Sequence, residues 1–207
     1  MGLEKNNSKI FASIISEKPF IRVKTEETNP EAIKREYEVD GKAGVKYELA
    51  YDNLSGYIKD IQIYKGDFGK QLQVTVDDIV LSVPLGTGFA DDLLKKLPAV
   101  NLSEPVNLVP YNFEDEKRRP RKGITVYQGE EKINNFFWDG EKSLYDYPDF
   151  PDNYESFDSE DWKEYFIKVS KFLQQYLKDN VIPKLNKDSV VKDIDDEDDI
   201  DVSTIPF

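Results

Sequence analysis

The sequence predicts a mainly β chain: a small five-stranded Greek-key barrel, then one amphipathic helix and a disordered acidic tail. Three observations carry this. Short runs alternating apolar and polar residues recur between turn signals from residue 35 to 138, the period-two pattern of half-buried strands. One short helical pattern interrupts them, and a long pattern of three-four spacing begins only after residue 159. Residues 188–201 carry too few apolar side chains against their charge to pack.

Residues 35–39 and 45–51 alternate around Asp40-Gly41, a hairpin signal, with Tyr37, Val39, Val45, Tyr47, Leu49 and Tyr51 as the inward set. A second hairpin runs from 56 to 63, through a loop at 64–70, into 71–77, where Leu72, Val74 and Val76 share one side and Gln71, Gln73 and Thr75 the other. A short apolar strand at 79–83 precedes a helix at 90–97 that Pro98 ends. Two further strands, 106–113 and 124–127 continuing through 133–138, flank a charged loop. This order fits the oligonucleotide-binding (OB) fold, a partly open Greek-key barrel, although other small barrels and sandwiches give a similar string. The domain assignment is 1–140 for the barrel, 141–158 for an acidic linker or strap rich in proline and aromatics, 159–184 for the helix and 185–207 for the tail. Ser159-Glu160-Asp161 caps a helix whose apolar residues run from Trp162 to Leu177. That helix either docks on the barrel or serves a dimer or partner contact.

The composition narrows the chemistry. With no cysteine and no histidine, disulfides, zinc-thiolate sites and serine–histidine relays are excluded, so the chain leans towards binding rather than catalysis. No cofactor is expected. No apolar run reaches membrane-spanning length and residues 1–5 lack the layout of a secretion signal, which points to a cytoplasmic protein without a membrane partner. The formal charge of -13 is unevenly placed: -3 over residues 1–140, -7 over 141–162, +3 over 163–184 and -6 over 185–207. A body so close to neutral does not repel a polyanion.

The densest basic run, Lys117-Arg118-Arg119-Pro120-Arg121-Lys122, lies between the last two barrel strands. Arg118, Arg119, Arg121 and Lys122 are candidate phosphate ligands there, because paired guanidinium donors suit phosphate oxygens. The facing loop adds Lys65, Lys70 and the ring of Phe68. Tyr127, directed outward with Thr125 by alternation, is a second candidate ring. Cations among rings are what single-stranded nucleic acid requires, since phosphates need charge and unpaired bases a flat face. The competing reading is a solvated loop balanced by Glu114, Asp115 and Glu116.

The tail runs through acids, among them Asp198, Asp199 and Asp201, into Ile205, Pro206 and Phe207. A carboxylate beside an apolar ring suits a pocket with a basic rim. This end resembles the tails of bacterial single-stranded DNA-binding proteins, which finish in acids followed by Ile-Pro-Phe or Leu-Pro-Phe, and the acidic Phe-ended tails of phage replication proteins of the same function. The body, in Lys34-Arg35-Glu36-Tyr37-Glu38, Gly44-Val45-Lys46-Tyr47-Glu48-Leu49 and Ser55-Gly56-Tyr57-Ile58-Lys59-Asp60-Ile61, resembles a phage-encoded version. The resemblance implies an OB-fold that coats single-stranded DNA without sequence preference in a bacterial host's cytoplasm. It also implies a tail recruiting replication or recombination proteins such as a polymerase, helicase or primase, with a homodimer possible. Val202-Ser203-Thr204 between acids and Ile205, and the Trp162 helix, depart from the bacterial pattern. Two other classes compete: a magnesium nuclease using Asp77-Asp78 or Asp91-Asp92, and an acidic adaptor or DNA mimic.

Overall fold

A computed structural model describes residues 9–18, 20–39, 41–66 and 69–185. Within them eleven strands form two sheets: β1 Ile10–Ile14, β2 Ile21–Lys24, β3 Ile33–Val39, β4 Lys42–Tyr51, β5 Leu54–Gly56, β6 Ile58–Gly66, β7 Gly69–Val76, β8 Ile79–Pro84, β9 Val106–Glu114, β10 Pro120–Gln128 and β11 Glu131–Ile133. Helix α1, Gly88–Lys96, lies between β8 and β9; α2, Ser159–Asn180, and the single turn α3, Ile182–Leu185, follow the strands.

The first sheet has seven strands in the order β3-β4-β2-β1-β8-β7-β6 and the second has four, β11-β10-β9-β5. Both are open, so the strands do not close into the expected five-stranded barrel. Two features account for this. The outer edge of β8 is taken by β1, in parallel, with Ile10 opposite Ile79 and Ser13 opposite Ser82. The edge of β10 turned away from β9 is capped by side chains: the Ile124 amide donates to Asp92 Oδ2 (2.9 Å) and Lys96 Nζ donates to the Ile124 carbonyl (2.8 Å). An ion pair on α1 thus stands where a neighbouring strand would pair. Pro110, opposite Ile124, is tolerated because it lies beyond the end of β5, where no ladder needs its missing N–H. Consecutive strands β5 and β6 belong to different sheets and join them through Tyr57.

Alternation explains the core. Leu72, Val74 and Val76 are fully buried, as their spacing predicts, and the inner faces of both sheets share one cluster with Leu93, Leu94, Leu108, Ile124, Val126 and Phe137. Helix α2 docks through Val169, Leu173 and Leu177. The segment before it lays rings against the cluster: Tyr147 stacks on Phe137 at 5.3 Å between centroids, and Phe150 packs against Trp162. Residues 141–158 are therefore a strap rather than a free linker.

Several boundaries differ from expectation. Strands β1 and β2, which the alternation pattern does not announce, sit inside the larger sheet. The loop expected at 64–70 is mostly strand: Tyr64 pairs with Gln71 and Lys65 with Lys70. Pro120, Arg121 and Lys122 likewise open β10, leaving only the turn from Asp115 to Arg119. The last strand stops at Ile133, and Phe136–Trp138 fold back as a turn with Phe137 buried and Trp138 exposed. The hairpin at β3–β4 has the expected turn register, Val39 opposite Lys42, but its apolar set does not form core. Val45 and Tyr51 are exposed, Tyr47 and Leu49 half-buried, and Glu48 is the buried residue, held by Arg35. The Tyr37 ring covers Gly44, where a Cβ would strike it. The α2 cap is Asp158, one residue before the expected Ser159, with Asp161 closing a capping box. The side chain of Val39, Phe68 and the tail residues Asp198, Asp199, Asp201, Ile205, Pro206 and Phe207 lie outside the described residues.

Candidate nucleic-acid interface

Strands β9, β10 and β11 place a mixed row of rings and cations on the face away from the core. Alternation sends Leu108, Ile124 and Val126 inward, so Asn107, Val109, Tyr111 and Phe113 on β9 face out beside Arg121, Thr125 and Tyr127 on β10. In register, Phe113 stands opposite Arg121, Val109 opposite Thr125, and Tyr127 opposite both Asn107 and Lys132. Ser55 on β5 extends the row by donating from Oγ to Asn107 Oδ1 (3.0 Å). A groove of about 600 Å³ runs along this face, lined by Lys96, Tyr111, Phe113, Asp115, Arg121, Thr125 and Lys132.

The floor is held by one carboxylate. Asp92 Oδ2 accepts from Lys96 Nζ at 2.6 Å, from the Ile124 amide at 2.9 Å and from the Tyr111 hydroxyl at 3.1 Å. Burial, then the Asp92 charge and hydrogen bond, raise the Tyr111 hydroxyl far above a free tyrosine. Gly123 is required beneath this knot, because a Cβ there would collide with Asp92 Oδ2 and the Tyr111 hydroxyl. Asp91, its neighbour, faces the strap instead. Burial lifts its carboxyl to about 6 against the pull of Lys95 and with a push from Asp92, and its Oδ1 is buried without a hydrogen-bond partner.

At the tip of the β9–β10 hairpin, Asp115 organises the basic turn. Its Oδ1 accepts from the amides of Lys117 and Arg119, and its Oδ2 takes guanidinium bonds from Arg119 and Arg121. The Arg119 bond, more than any other, holds the Asp115 carboxyl far below the ordinary range. The acid thus fans the two arginines rather than cancelling them, since each guanidinium keeps further donors. Arg118 sits exposed in the left-handed region at φ 56°.

The structure brings some of the expected residues together and separates others. Arg119 and Arg121 share one carboxylate beside the groove. Lys122 is half-buried and by alternation lies on the opposite face of β10. Tyr127 is half-buried, outward, and six residues along β10 from Arg121, about 20 Å away. Lys65 and Lys70 face one another across the β6–β7 hairpin, at a distance from the groove but linked to it. The Lys70 carbonyl accepts from the Leu85 amide (3.0 Å), and Gly88 packs against the Lys122 carbonyl, so both basic hairpins attach to the turn ahead of α1. Sequence reasoning misses Phe113 and Lys132; each stands in register opposite a residue it does single out, Arg121 and Tyr127. In each pair proposed for a metal one acid is otherwise engaged: Asp92 as above, and Asp77 at φ 52°, accepting from the Tyr57 amide in the β7–β8 turn. Among the described residues no group of three or more potential ligands gathers to hold a metal ion, and no helix is long and apolar enough to cross a membrane. Comparison of the chain with protein-family models, curated proteins and solved structures finds no match.

Proposed function

We propose that the chain is a single-stranded DNA-binding protein of the phage type, which coats and protects DNA during replication, recombination and repair. The observation that carries this is the outward face of β9–β11, where Tyr111 and Phe113 stand with Arg121 and Lys132 along an open groove, and Tyr127 lies on the same face beside Lys132. Stacking rings interleaved with cations bind unpaired bases and phosphates without reading sequence. Such a face has no use for a reacting group, and the reading is of a binder rather than an enzyme. The order of elements supports an OB-type core in which β5 with β6, β7, β8, β9 and β10 are the five strands and α1 falls between the third and fourth. The strands β1 to β4 are then an addition to it. The acidic tail, ending in Ile205, Pro206 and Phe207, recruits replication or recombination proteins, and the chain works in a bacterial host's cytoplasm.

Fluorescence anisotropy of labelled oligothymidylate and oligodeoxycytidylate with the full chain, over a salt series, tests the reading. Similar affinities on both and a steep salt dependence support it. Absence of binding at low salt, with the seven acids of 193–201 changed to their amides as well as in the natural chain, overturns it and leaves the adaptor or mimic.

A further inference from the structure

We infer that the outward face of β1–β4 is a second binding surface for single-stranded polynucleotide, built on Phe11, Lys24, Lys42 and Lys46. This rests on the nucleic-acid reading above and extends it to the strands that precede the OB-type core. Register sorts the charges of these strands by face. On β2 the core-facing residues are Ile21 and Val23, so Lys24 lies on the other face, opposite Glu48 on β4. Alternation along β4 puts Lys46, Gly44 and Lys42 in the frame of Glu48, with Arg35 opposite Lys46 and Tyr37 opposite Gly44 on β3. The acids of β3, Glu36 and Glu38, fall in the other frame, where Lys34 Nζ donates to Glu36 at 2.7 Å. Glu48 is thus the one acid on the outward face of β2, β3 and β4, and it is already engaged: it is buried and accepts from Arg35 Nε and Nη2 at 2.9 Å each. Lys24, Lys42 and Lys46 are exposed, and none of them forms an ion pair among the described residues. Arg22 shares their frame but is buried, so it adds to the potential of the face without meeting a ligand.

The rings select the polyanion. Ala12 and Ile14 face the core on β1, which turns Phe11 outward, and at 61% exposure it is the most exposed large apolar side chain among the described residues. Ala12 pairs with Val23, so Phe11 and Lys24 are the next residues on adjacent strands, about 5 Å apart along the backbone spacing. A second ring meets a cation at Tyr37, which covers Gly44 and has Lys46 Nζ 4.6 Å from its centroid. Beyond β1 the same face loses its positive charge: Ser13, Ser82, Gln73 and Gln62 follow in register, and Asp60 lies on the far strand, so the surface ends there. An acidic peptide would satisfy the lysines, but a polynucleotide brings a flat base with each phosphate, which suits a ring beside a cation at Phe11–Lys24 and again at Tyr37–Lys46. Because the two sheets share one core, this face and the β9–β11 groove look in different directions, and a polynucleotide held by both passes round an edge of the protein.

The test uses three variants of the full chain, titrated with labelled oligothymidylate over a salt series: Lys24→Gln with Lys46→Gln, Phe11→Ala, and Lys34→Gln as the control. The double lysine variant binds more weakly at low salt, and its salt slope is smaller by about 0.7 for each lysine. Phe11→Ala weakens binding about five- to hundredfold. Melting temperatures stay nearly level, because Phe11, Lys24 and Lys46 are all exposed. Lys34→Gln removes the same charge from the opposite face and leaves the slope unchanged; a loss there equal to that of one outward lysine makes the effect one of net charge and overturns the inference. Natural affinity and slope in both the lysine and the Phe11 variants also overturn it and leave the groove reading intact, which Arg119→Ala with Arg121→Ala tests separately. A natural chain that binds no oligonucleotide ends both. If the lysine variant binds oligothymidylate normally but loses affinity for a synthetic peptide of residues 193–207, the face serves an acidic peptide and the inference falls.

Discussion

Replacing Asp92 with alanine tests how the four-stranded sheet is held and what keeps its groove in shape. The carboxylate receives three donors within 3.1 Å, and the Lys96 side chain it neutralises is 8% exposed while Asp92 itself is 23% exposed. Removal strands an ammonium left with the Ile124 carbonyl and the Tyr111 ring face as partners, and leaves the Ile124 amide and the Tyr111 hydroxyl unpaired. Breaking a buried pair from one side costs about 3–5 kcal/mol; water entering through the partly open Asp92 position keeps the loss near the lower end. For a chain of this size each kcal/mol moves the melting temperature about 2–4 °C, so a fall of roughly 6–12 °C is expected by calorimetry. Two local readouts accompany it: the Ile124 amide exchanges faster with solvent, and the Tyr111 hydroxyl titrates lower, since burial remains but the adjacent charge is gone. Lys96→Met should cost less, because Asp92 keeps two donors and some water. A stability loss below about 1 kcal/mol for Asp92→Ala, with Ile124 exchange unchanged, would refute the idea that this ion pair substitutes for a strand.

Arg119→Ala combined with Arg121→Ala should weaken oligothymidylate and oligodeoxycytidylate binding alike, and flatten the salt dependence by about 0.7 for each phosphate no longer neutralised. Phe113→Ala, at a ring that is 55% exposed, should cost about 1–3 kcal/mol of binding with little change in melting temperature, whereas Tyr127→Ala, half-buried, should lower both affinity and stability; a Phe113 variant that binds normally but melts early would make that ring structural. Asp91 has a folded pKa of about 6 against an ordinary 3.8, so the folded state binds its proton more tightly. Its contribution is lost as pH rises from about 4 to 6, by up to about 3 kcal/mol. Asp91→Asn should remove that slope and melt higher at pH 8; a natural chain equally stable at pH 4.5 and 7 on this account would exclude the effect.

Legibility varies with what the local pattern encodes. Leu72, Val74 and Val76, and the Val169, Leu173 and Leu177 stripe, are readable because periodicity reports directly which side chains meet a core. The same alternation in β3–β4 misleads, since period two defines two faces without saying whether either is covered. There Tyr37 lies on Gly44, Tyr47 donates to Glu27 at 2.5 Å, and an ion pair buries Glu48. The strands β1 and β2 escape notice because each is four or five residues long and Arg22 breaks the apolar run. Hairpin tips read as too long for a related reason: Lys65, Lys70, Arg121 and Lys122 look like loop by polarity, but a strand outside the core can carry charge on either face. In the interface, the basic turn and Tyr127 are legible as residue types, while the role of Asp115 in spreading two arginines depends on a fold of the chain that no spacing rule announces.

The parallel ladder between β1 and β8 has a kinetic consequence. Of the six ladders in the larger sheet it alone joins the β1–β4 half to the β6–β8 half, and it pairs residues as distant as Ile10 and Ile79. The antiparallel hairpins at Asp77 and Gly41 close over two-residue turns and form early, whereas this seam waits for a long intervening loop to close, which makes it a late event on the folding pathway. Before it forms, β8 presents an unpaired apolar edge that another chain's β1 could occupy as readily as its own. Exchange of the N-terminal strands between copies is thus the misassembly this architecture must outrun, and it becomes faster in proportion to protein concentration.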